Sequence, residues 1–425
     1  MHPWSRAQRP SQLLTSWEAL SALEPDWDRL WQASPRARRL CLSFRWVREL
    51  VGHFDRRRGT GTRPWCVVLR DEAGRPTGIA PLIVEEGSRG RRVRTLPDWV
   101  ERNHGFFSAG PVAPLAREVR HHLDAAGVDG LRLRGLLRQE ALALVDAWEG
   151  SGRVTALRIS QAEGEGGAPG STWWDRRAIT LAPTWEEWLA RRGGNYRSSL
   201  KRAWKRARKE ARVEYWRHSG GRQVCGQPLA PDELLAILAR IEARAWQGER
   251  HFAPEGDGRT MLETLLNQGL LELSLLWLDG KPVSNVMGHT AGRGATTRWL
   301  GFDPDVAGLS PGVLTLAELV RTSCEERRLD EINLRGSEHQ YKAQMADAIE
   351  SSFELELFGR TPRGLATALA RRARPGLRAV GPEALRLLAS PEPLPGRAGT
   401  AEALLSALVG PGALELLESV LPLIG

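Results

Sequence analysis

Short apolar runs separated by glycine-containing turns dominate the first part of the chain. Residues 65–85 contain two such runs, WCVVLR and RPTGIAPLIVEE, joined by DEAG. Val and Ile favour strands, and Gly74 provides the backbone freedom that a tight turn needs. The pattern predicts a β-hairpin, followed by a strand at residues 93–96, a helix at residues 114–126 and a strand in VDGLRLRGL.

The same order of elements recurs in the second part of the chain. Residues 271–290 predict a second hairpin, LELSLLWL and KPVSNVMGHT joined by DG, and ATTRWLGFD, a helix at residues 313–328 and LDEINLRGS follow. GRP at 74–76 returns as GKP at 280–282, and LRG at 133–135 returns at 334–336. Asp129 and Asp330 share the offset of the second match, so an internal duplication explains the pattern best.

Each half therefore predicts a mixed, mostly antiparallel sheet flanked by helices, an α/β arrangement in tandem. Strands joined by tight turns should be antiparallel, and strands joined through a helix should be parallel. The predicted domains are residues 1–165 and 172–360, connected by the Gly-rich AEGEGGAPGS at 162–171.

Residues 361–425 predict a helical C-terminal extension. Their Leu, Ala and Arg content suggests short amphipathic helices, interrupted by prolines. The final ALELLESVLPLIG has one apolar face, which we expect to pack on its own domain. The alternative is a contact with a partner or a membrane surface.

Composition narrows the classes of function. The 425-residue chain carries a net charge of +9 with a pI of about 10.0, a balance that attracts polyanions such as nucleic acid, anionic lipid or phosphate-rich cofactors. It has no apolar run long enough to span a membrane and no secretion signal, so we expect a cytoplasmic protein. Its four cysteines are scattered without His or Cys neighbours at ligand spacing, so no metal site is expected.

A strongly basic segment lies at residues 191–212. It contains ten Lys or Arg residues and one acid, with apolar residues at helical spacing. Three interpretations compete: a solvated helix face, a contact with phosphates of a donor or acceptor, and binding of nucleic acid, tRNA included. No recognisable DNA-binding motif accompanies the segment, so DNA is not an expected partner.

Ser310-Pro311-Gly312 stands where the helix at 313–328 should begin. Serine is a good N-cap residue, and proline suits the first helical turn. The free N–H groups and the helix dipole at such a start form a ready site for a pyrophosphate. The alternative is an ordinary capped helix without a ligand.

Two ordered segments, GFDPDVAGLSPGVLTLAELV and LDEINLRGSEHQYKAQM, resemble the BioF2-like (CelD-like) acetyltransferase family of the GNAT superfamily. They resemble more distantly the FemABX peptidyltransferases, which are also tandem GNAT folds. The matching motifs are the strand at 299–303, the tripeptide at 310–312, the strand end at 332–336, and the Tyr341-Lys342 pair. The basic NYRSSLKRAWKRARKE is similar to the arginine-rich helix of that family. The resemblance covers about residues 40–358.

The resemblance implies two GNAT-like domains, with acetyl-CoA or another acyl-CoA as donor substrate of the second. The first, degenerate domain would shape the acceptor side. The implied reaction moves an acyl group to an amine or hydroxyl of a small-molecule or cell-envelope or polysaccharide-related acceptor. The implied donor-binding residues are Trp299, Leu300, Gly301, Leu309, Ser310, Pro311 and Gly312. The implied catalytic residues are Tyr341, Lys342 and Glu242, with His289, Asn333 and Glu338 as further polar candidates.

Two features depart from the family pattern. The common pyrophosphate signature Gln/Arg-x-x-Gly-x-Gly/Ala is absent, and Asn333 occupies the position of an acidic residue. Two alternatives to an acyl-CoA enzyme therefore remain: a FemABX-like aminoacyl-tRNA-dependent transferase, and a nonenzymatic basic interaction protein on a GNAT scaffold.

Overall fold

A computed structural model describes most of the first 368 residues. The described residues are 11–34, 43–45, 47–48, 51, 63–87, 90–96, 106–136, 138–149, 157–161, 176–245, 251–253, 256, 258–335, 339–350, 353–359, 361–364 and 367–368. The predicted connection at 162–171 and residues 369–425 of the predicted extension lie outside this part of the chain.

The described part of the chain contains both strands and helices. The strands are β1 Ser11–Leu14, β2 Arg63–Pro64, β3 Cys66–Arg70, β4 Pro76–Ala80, β5 Leu82–Gly87, β6 Gly90–Thr95, β7 Phe107–Ser108, β8 Gly130–Leu136, β9 Leu157–Gln161, β10 Arg176–Thr180, β11 Val213–Ser219, β12 Arg222–Cys225, β13 Leu271–Leu278, β14 Lys281–Ala291, β15 Gly294–Phe302, β16 Glu331–Asn333, β17 Ala348–Glu350 and β18 Phe353–Phe358. The helices are α1 Trp17–Ser21, α2 Glu24–Ala33, α3 Ala113–Ala125, α4 Arg138–Glu149, α5 Trp185–Ala190, α6 Gly194–Glu210, α7 Pro231–Arg244, α8 Gly258–Asn267, α9 Pro311–Glu326 and α10 Gln340–Met345.

The strands form three sheets. A four-stranded sheet has the order β1-β3-β4-β7, and a six-stranded sheet has the order β2-β5-β6-β8-β18-β9. An eight-stranded sheet has the order β12-β11-β13-β14-β15-β16-β10-β17. The predicted hairpins are present as β3–β4 and β13–β14, and both are antiparallel.

The expected parallel pairs are also present. Strands β6 and β8 are parallel and are separated in the chain by α3, and β15 and β16 are parallel and are separated by α9. The other pairings are antiparallel. The predicted class, mixed and mostly antiparallel sheets flanked by helices, is confirmed.

Each copy of the duplicated pattern ends with one further strand, β10 after β9 and β18 after β17, and that strand completes the sheet of the other copy. Strand β18, near the end of the second half, lies between β8 and β9 of the six-stranded sheet. Strand β10, which follows β9 in the chain, lies between β16 and β17 of the eight-stranded sheet. The two halves are therefore interlocked by a reciprocal strand exchange.

Backbone hydrogen bonds show that the exchanged strands occupy equivalent places. Just after β10, the Leu181 N–H donates to the Asp330 carbonyl at 2.8 Å. Just after β18, the Gly359 N–H donates to the Asp129 carbonyl at 2.9 Å. Asp129 and Asp330 are the duplicated pair found in the sequence, so the duplication extends to the way each sheet is completed.

Strand exchange bears on the predicted domains. The segment Phe353–Phe358 falls within the predicted second domain, residues 172–360, yet it pairs in the sheet of the first half. The predicted boundaries at 1–165, 172–360 and 361–425 remain predictions about folding units. None of the helices in the described part of the chain is both long and apolar enough to cross a bilayer.

Alternation along β13 covers the eight-stranded sheet on both faces. Leu271, Leu273 and Leu275 point to the face covered by α7 and α8, while Leu276 and Leu278 point to the face covered by α5, α6 and α9. This period of two is what an antiparallel strand buried on both faces requires. The sheet thus separates two apolar layers. The candidate site lies where β15 runs past the end of β16.

Candidate functional site

The two parallel strands β15 and β16 pair over a short stretch. They pair only over Gly294–Thr296 and Glu331–Asn333, because β16 ends at Asn333. Strand β15 continues to Phe302 with β14 on its other side, where Ser284 faces Phe302. Past Thr296, β15 has no paired β16 backbone beside it, and we call this stretch of β15, residues 297–302, the opening.

A short loop connects β15 to α9 and closes one side of this opening. Residues Pro304–Leu309 form a 3-10 helix, and the carboxylate of Asp303 accepts the Asp305 N–H at 3.0 Å. The guanidinium of Arg244, at the end of α7, pairs with Asp303 at 2.7 Å. From the other side, Arg206 of α6 donates to the Gly308 carbonyl at 2.8 Å. The loop is thus held by cations from two helices.

Ser310 does not cap α9 in the way that the sequence predicted. It lies at the N-cap position but has a left-handed backbone, with φ 56° and ψ 46°, and its side chain makes no capping hydrogen bond. The positive φ reverses the chain between the 3-10 helix and α9, and this turns the hydroxyl away from the first helical N–H groups. Any contribution of Ser310 to anion binding therefore comes from backbone geometry rather than from a capping hydroxyl.

The start of α9 packs directly against the end of β15. A Cβ atom on Gly312 would lie 3.3 Å from Leu300 Cδ2 and 3.5 Å from Phe302 Cδ1, so glycine allows this close approach. The Leu314 N–H already donates to the Ser310 carbonyl at 3.1 Å. The N–H groups of Gly312 and Val313, in the first turn, have no carbonyl one turn back within the helix. They lie at the side of the opening.

Several predicted donor-binding residues are buried. Leu309, Pro311 and Gly312 are all buried, and Leu309 and Leu300 belong to the apolar layer between α9 and the sheet. A ligand at this place would therefore meet backbone atoms rather than their side chains.

A small pocket lies along the same stretch of β15, beside α7. The pocket has a volume of about 30 Å³ and brings together four of the predicted residues, Glu242, Trp299, Leu300 and Gly301. The other lining residues are Leu238, Ala245, Phe252 and Asn285. A cavity that holds a single water has a volume of roughly 10–15 Å³, so this pocket suits a group of only a few heavy atoms.

Glu242 holds the wall of this pocket. Its two carboxylate oxygens accept the backbone N–H groups of His251 at 2.9 Å and Phe252 at 2.7 Å. The ring of Trp299 meets the rings of these same two residues edge-on, with centroids 5.9 and 6.0 Å apart. The predicted catalytic role of Glu242 therefore competes with a clear structural role.

Gly301 and Asn285 lie in close contact inside the pocket. A Cβ atom on Gly301 would lie 2.8 Å from Asn285 Oδ1 and 3.3 Å from Ile241 Cγ2. Only a residue without a side chain fits between the Asn285 amide and α7. Asn285 itself is buried in the middle of β14.

Tyr341 and Lys342 follow the other strand of the opening. They lie in α10, after the turn that leaves β16, and do not line the small pocket. Lys342 is buried, and burial together with the positive charges of Arg335 and Arg177 lowers its pKa to about 7. The ring of Tyr341 stacks on His339 with centroids 5.7 Å apart, and burial raises its pKa to about 12.

The remaining polar candidates have different surroundings. His289 is buried near the end of β14, in register with Leu271. The Asn333 amide oxygen accepts the Arg335 N–H at 2.8 Å, which shapes the turn after β16. Glu338 lies outside the described residues.

Sequence reasoning missed several residues of this region. Asn285 is a buried polar residue in an otherwise apolar strand, and VSNV carried that signal. Arg206, Arg244 and Arg177 gave no such signal, because each is one of many arginines and acquires its role through a contact distant in sequence.

Comparisons with known proteins agree with this geometry. The family model described as an acetyltransferase (GNAT) domain matches residues 194–343, the segment that contains the opening, the loop and the Tyr341-Lys342 pair. This segment of the chain is therefore similar to a GNAT-type acetyltransferase domain. No curated protein matches the sequence.

Three solved structures are similar to between 76% and 81% of the chain. FemX is similar with a TM-score of 0.55 and 10% identity, over 78% of this chain and 95% of FemX. The C-terminal domain of a putative lysylphosphatidylglycerol synthetase from Agrobacterium fabrum gives 0.45 and 11%, over 76% and 94%. A tandem GNAT protein from the clavulanic acid biosynthesis pathway gives 0.41 and 12%, over 81% and 98%. At such identities, the similarity to FemX shows a shared fold and nothing further.

Proposed function

We propose that the second half of the chain is an acyl-CoA-dependent acyltransferase of the BioF2-like kind, acting on an amine or hydroxyl. The observation that carries this proposal is that β15 runs on past the end of its pairing with β16, beside the start of α9. Such an unpaired stretch of strand next to a helix N-terminus can offer backbone groups to a thioester and a positive helix end to a pyrophosphate.

The contacts of this opening support one arrangement of the donor. The pantetheine arm of acetyl-CoA would run along Trp299–Gly301, and its pyrophosphate would meet the amides of Gly312 and Val313. Arg206 lies beside the same loop and supports binding of phosphate. The small volume of the pocket beyond Gly301 favours acetyl over longer acyl groups.

The contrasting environments of Lys342 and Tyr341 suggest their roles. With a pKa lowered to about 7, Lys342 is largely neutral at pH 8 and can accept a proton from the attacking amine or hydroxyl. With its pKa raised to about 12, Tyr341 remains protonated and can donate to the departing thiolate. The acceptor then forms its bond to the acyl carbon as the carbon–sulfur bond breaks, and two groups with separated pKa values divide the acid and base tasks.

The acceptor in this proposal is a small molecule or a component destined for the cell envelope, modified in the cytoplasm, where acyl-CoA is available. The first half of the chain, predicted as residues 1–165, would form part of the acceptor side. Glu242 has a positioning role here, because its carboxylate fixes the His251 and Phe252 backbone.

Calorimetric titration of the full chain with acetyl-CoA tests the proposal. We expect saturable binding that Gly312→Trp weakens at least tenfold, since the larger side chain must displace Leu300 and Phe302. The matched control is Gly308→Ala, because a Cβ atom on Gly308 has no atom within 4 Å. Absence of binding by the unaltered chain, or equal affinity of the Gly312 variant, would contradict the proposal.

A second candidate donor is an aminoacyl-tRNA. The observation that favours it is the basic helix α6, which touches the loop before α9 through Arg206. This alternative predicts tRNA binding that weakens steeply with salt, alongside no measurable binding of acetyl-CoA. A titration series at low and physiological salt with each donor distinguishes the two.

A further inference from the structure

A second, much larger cavity lies on the face of the eight-stranded sheet covered by α5, α6 and α9. Its volume is about 1190 Å³, and it shares no lining residue with the pocket near Gly301. We call it the α6 groove. One wall is formed by α6, and the floor includes Val213 and Tyr215 of β11.

The wall formed by α6 is cationic along its length. Arg197, Lys201, Lys205, Arg208 and Lys209 line the groove and are all exposed. Steps of four residues along a helix place successive side chains about 6 Å apart on one face. Among the ion pairs of the described residues, none involves Lys201, Lys205 or Lys209, so these three charges are available to a ligand.

The facing helix contributes little negative charge. Glu318 of α9 is the one carboxylate among the lining residues, and it is buried and bonded to Arg321 at 2.6 Å. Because that carboxylate is already matched by a cation, the groove as a whole attracts anions.

The interior of the groove is apolar. Its floor and inner walls include half-buried or buried Trp185, Leu189, Leu200 and Trp204, all of which pack against the apolar layer beneath them. The Trp204 ring carries the Arg208 guanidinium at 4.8 Å, and Trp185 stacks on Trp188 with centroids 5.1 Å apart. One face of each of the Trp185 and Trp204 indoles is covered, and both rings pack on the core. These two residues therefore form part of the groove floor and offer little ring surface on which a nucleic-acid base could stack.

We propose that the α6 groove binds an anionic amphiphile: a molecule with a phosphate or carboxylate head and an aliphatic chain, such as an anionic lipid. The aliphatic part of the ligand would lie on the floor that includes Leu189 and Trp204. Its anionic head would meet Lys201, Lys205 and Lys209. The apolar interior of the α6 groove suits the aliphatic part of such a molecule, and the cationic wall formed by α6 suits its anionic head.

Two other occupants fit the groove less well. The apolar side of α6, with Tyr196, Leu200 and Ala207, is buried against its own domain, so the helix cannot insert that face into a bilayer. Single-stranded nucleic acid would need accessible ring faces for stacking, and Trp185 and Trp204 offer few.

Binding of dodecyl phosphate to the full chain, measured by calorimetry below its micelle concentration, tests the proposal. The test variant is Lys201→Gln/Lys205→Gln, and the control is Arg202→Gln/Arg212→Gln. Both remove two exposed cations, and neither Arg202 nor Arg212 lines the groove. We expect saturable binding that the first variant weakens at least tenfold and the control changes less than threefold.

Further ligands separate the remaining sources of affinity. Vesicles containing phosphatidylglycerol should bind the chain more strongly than vesicles of phosphatidylcholine alone, again with loss in the first variant only. Glycerol phosphate should bind far more weakly than dodecyl phosphate. Equal losses in both variants would reveal a general charge effect and overturn the proposal. So would glycerol phosphate binding as tightly as dodecyl phosphate, or tighter binding of an unstructured oligonucleotide that depends on Lys201 and Lys205.

Discussion

The two parallel strand pairs of this chain have the same topology and differ in how they end. In the first half, β6 stops at Thr95, one residue beyond its last pairing at Arg94. In the second half, β15 runs on to Phe302 after its pairing with β16 has ended at Thr296. Among the residues that the structure describes, the opening is therefore found in one copy.

The two copies also differ in the residues that join β8 to β18 and β16 to β10. Arg132 of β8 faces Glu356 of β18, and its guanidinium bonds Glu354 at 2.7 Å. At the equivalent place, Asn333 of β16 faces Ala178 of β10. The first copy joins its strands with charge pairs, whereas the second leaves small or neutral groups at the edge of the opening. One scaffold, once duplicated, can be stabilised in one copy and kept open in the other.

The largest expected effect is on the rate of acetyl transfer, and it tests whether the catalytic residues lie in the second copy. Lys342→Met should lower acetyl transfer about 10²- to 10⁴-fold, since it removes the proposed proton acceptor. For the unaltered enzyme, kcat/KM should rise with pH and level off above about pH 7, the lowered pKa of Lys342. Arg132→Asn, a change in the first copy, should leave the rate within twofold. A rate lost equally in both variants would contradict the assignment.

Stability provides an independent check on Lys342. Its folded pKa lies below that of an unfolded lysine, near 10.5, so the unfolded chain binds more protons between pH 7 and 10.5. The cost of burying the charge is fully present below pH 7 and disappears as pH rises through that window. The Tm of Lys342→Met should therefore exceed that of the unaltered chain most at low pH. A pH-independent difference would argue against a buried, titrating amine.

The next effect is on stability, and it tests whether β18 belongs to the core of the first copy. Leu355→Ala in β18 should lower the free energy of unfolding by about 2–5 kcal/mol, because this side chain is only 1% exposed in the core of the first copy. Hydrogen exchange should accelerate in β8 and β9 rather than in β14 and β15. Faster exchange confined to the eight-stranded sheet would contradict the reciprocal exchange.

A smaller effect distinguishes two glycines beside the opening. Gly301→Ala places a methyl group against Asn285 and Ile241, so kcat/KM should fall about tenfold, with a loss of stability of about 1–3 kcal/mol. Gly308→Ala meets open space and should be silent in both measurements. Similar activities for the two variants would show that the pocket near Gly301 takes no part in transfer.

The smallest effect compares the duplicated aspartates. Asp129 accepts the Arg91 N–H at 2.7 Å in a partly buried site, and Asp129→Ala should cost about 1–3 kcal/mol of stability. Asp330 pairs with Arg293 at 2.7 Å, but its side chain is 62% exposed, so Asp330→Ala should cost about 0–1 kcal/mol. Chemical denaturation of both variants measures the difference, and a reversed order would contradict this view of the two copies.

Much of this fold could be predicted from the sequence because its signals are local. Short apolar runs joined by glycine-containing turns indicated both hairpins, and the matching GRP and GKP turns indicated the duplication. Ser310 was predicted as a capping residue from its neighbours alone, and its left-handed backbone depends on the 3-10 helix before it.

The strand exchange had no local signal. An apolar strand such as Phe353–Phe358 has the same pattern whichever sheet it completes, and the choice depends on contacts more than 200 residues away, such as Arg132 with Glu354. The pocket was partly predictable, since Glu242, Trp299 and Gly301 do meet there. Asn285 joined them only once the pairing of β14 with β15 was known.

The central claim is that the opening between β15 and β16 holds the acyl donor. Hydrogen–deuterium exchange of the full chain with saturating acetyl-CoA tests it most directly. We predict slower exchange in residues 297–302 and 311–315, with no change in the equivalent strand and helix at 90–95 and 113–125. Unchanged exchange in the first two segments, or equal protection in both halves, would contradict the account.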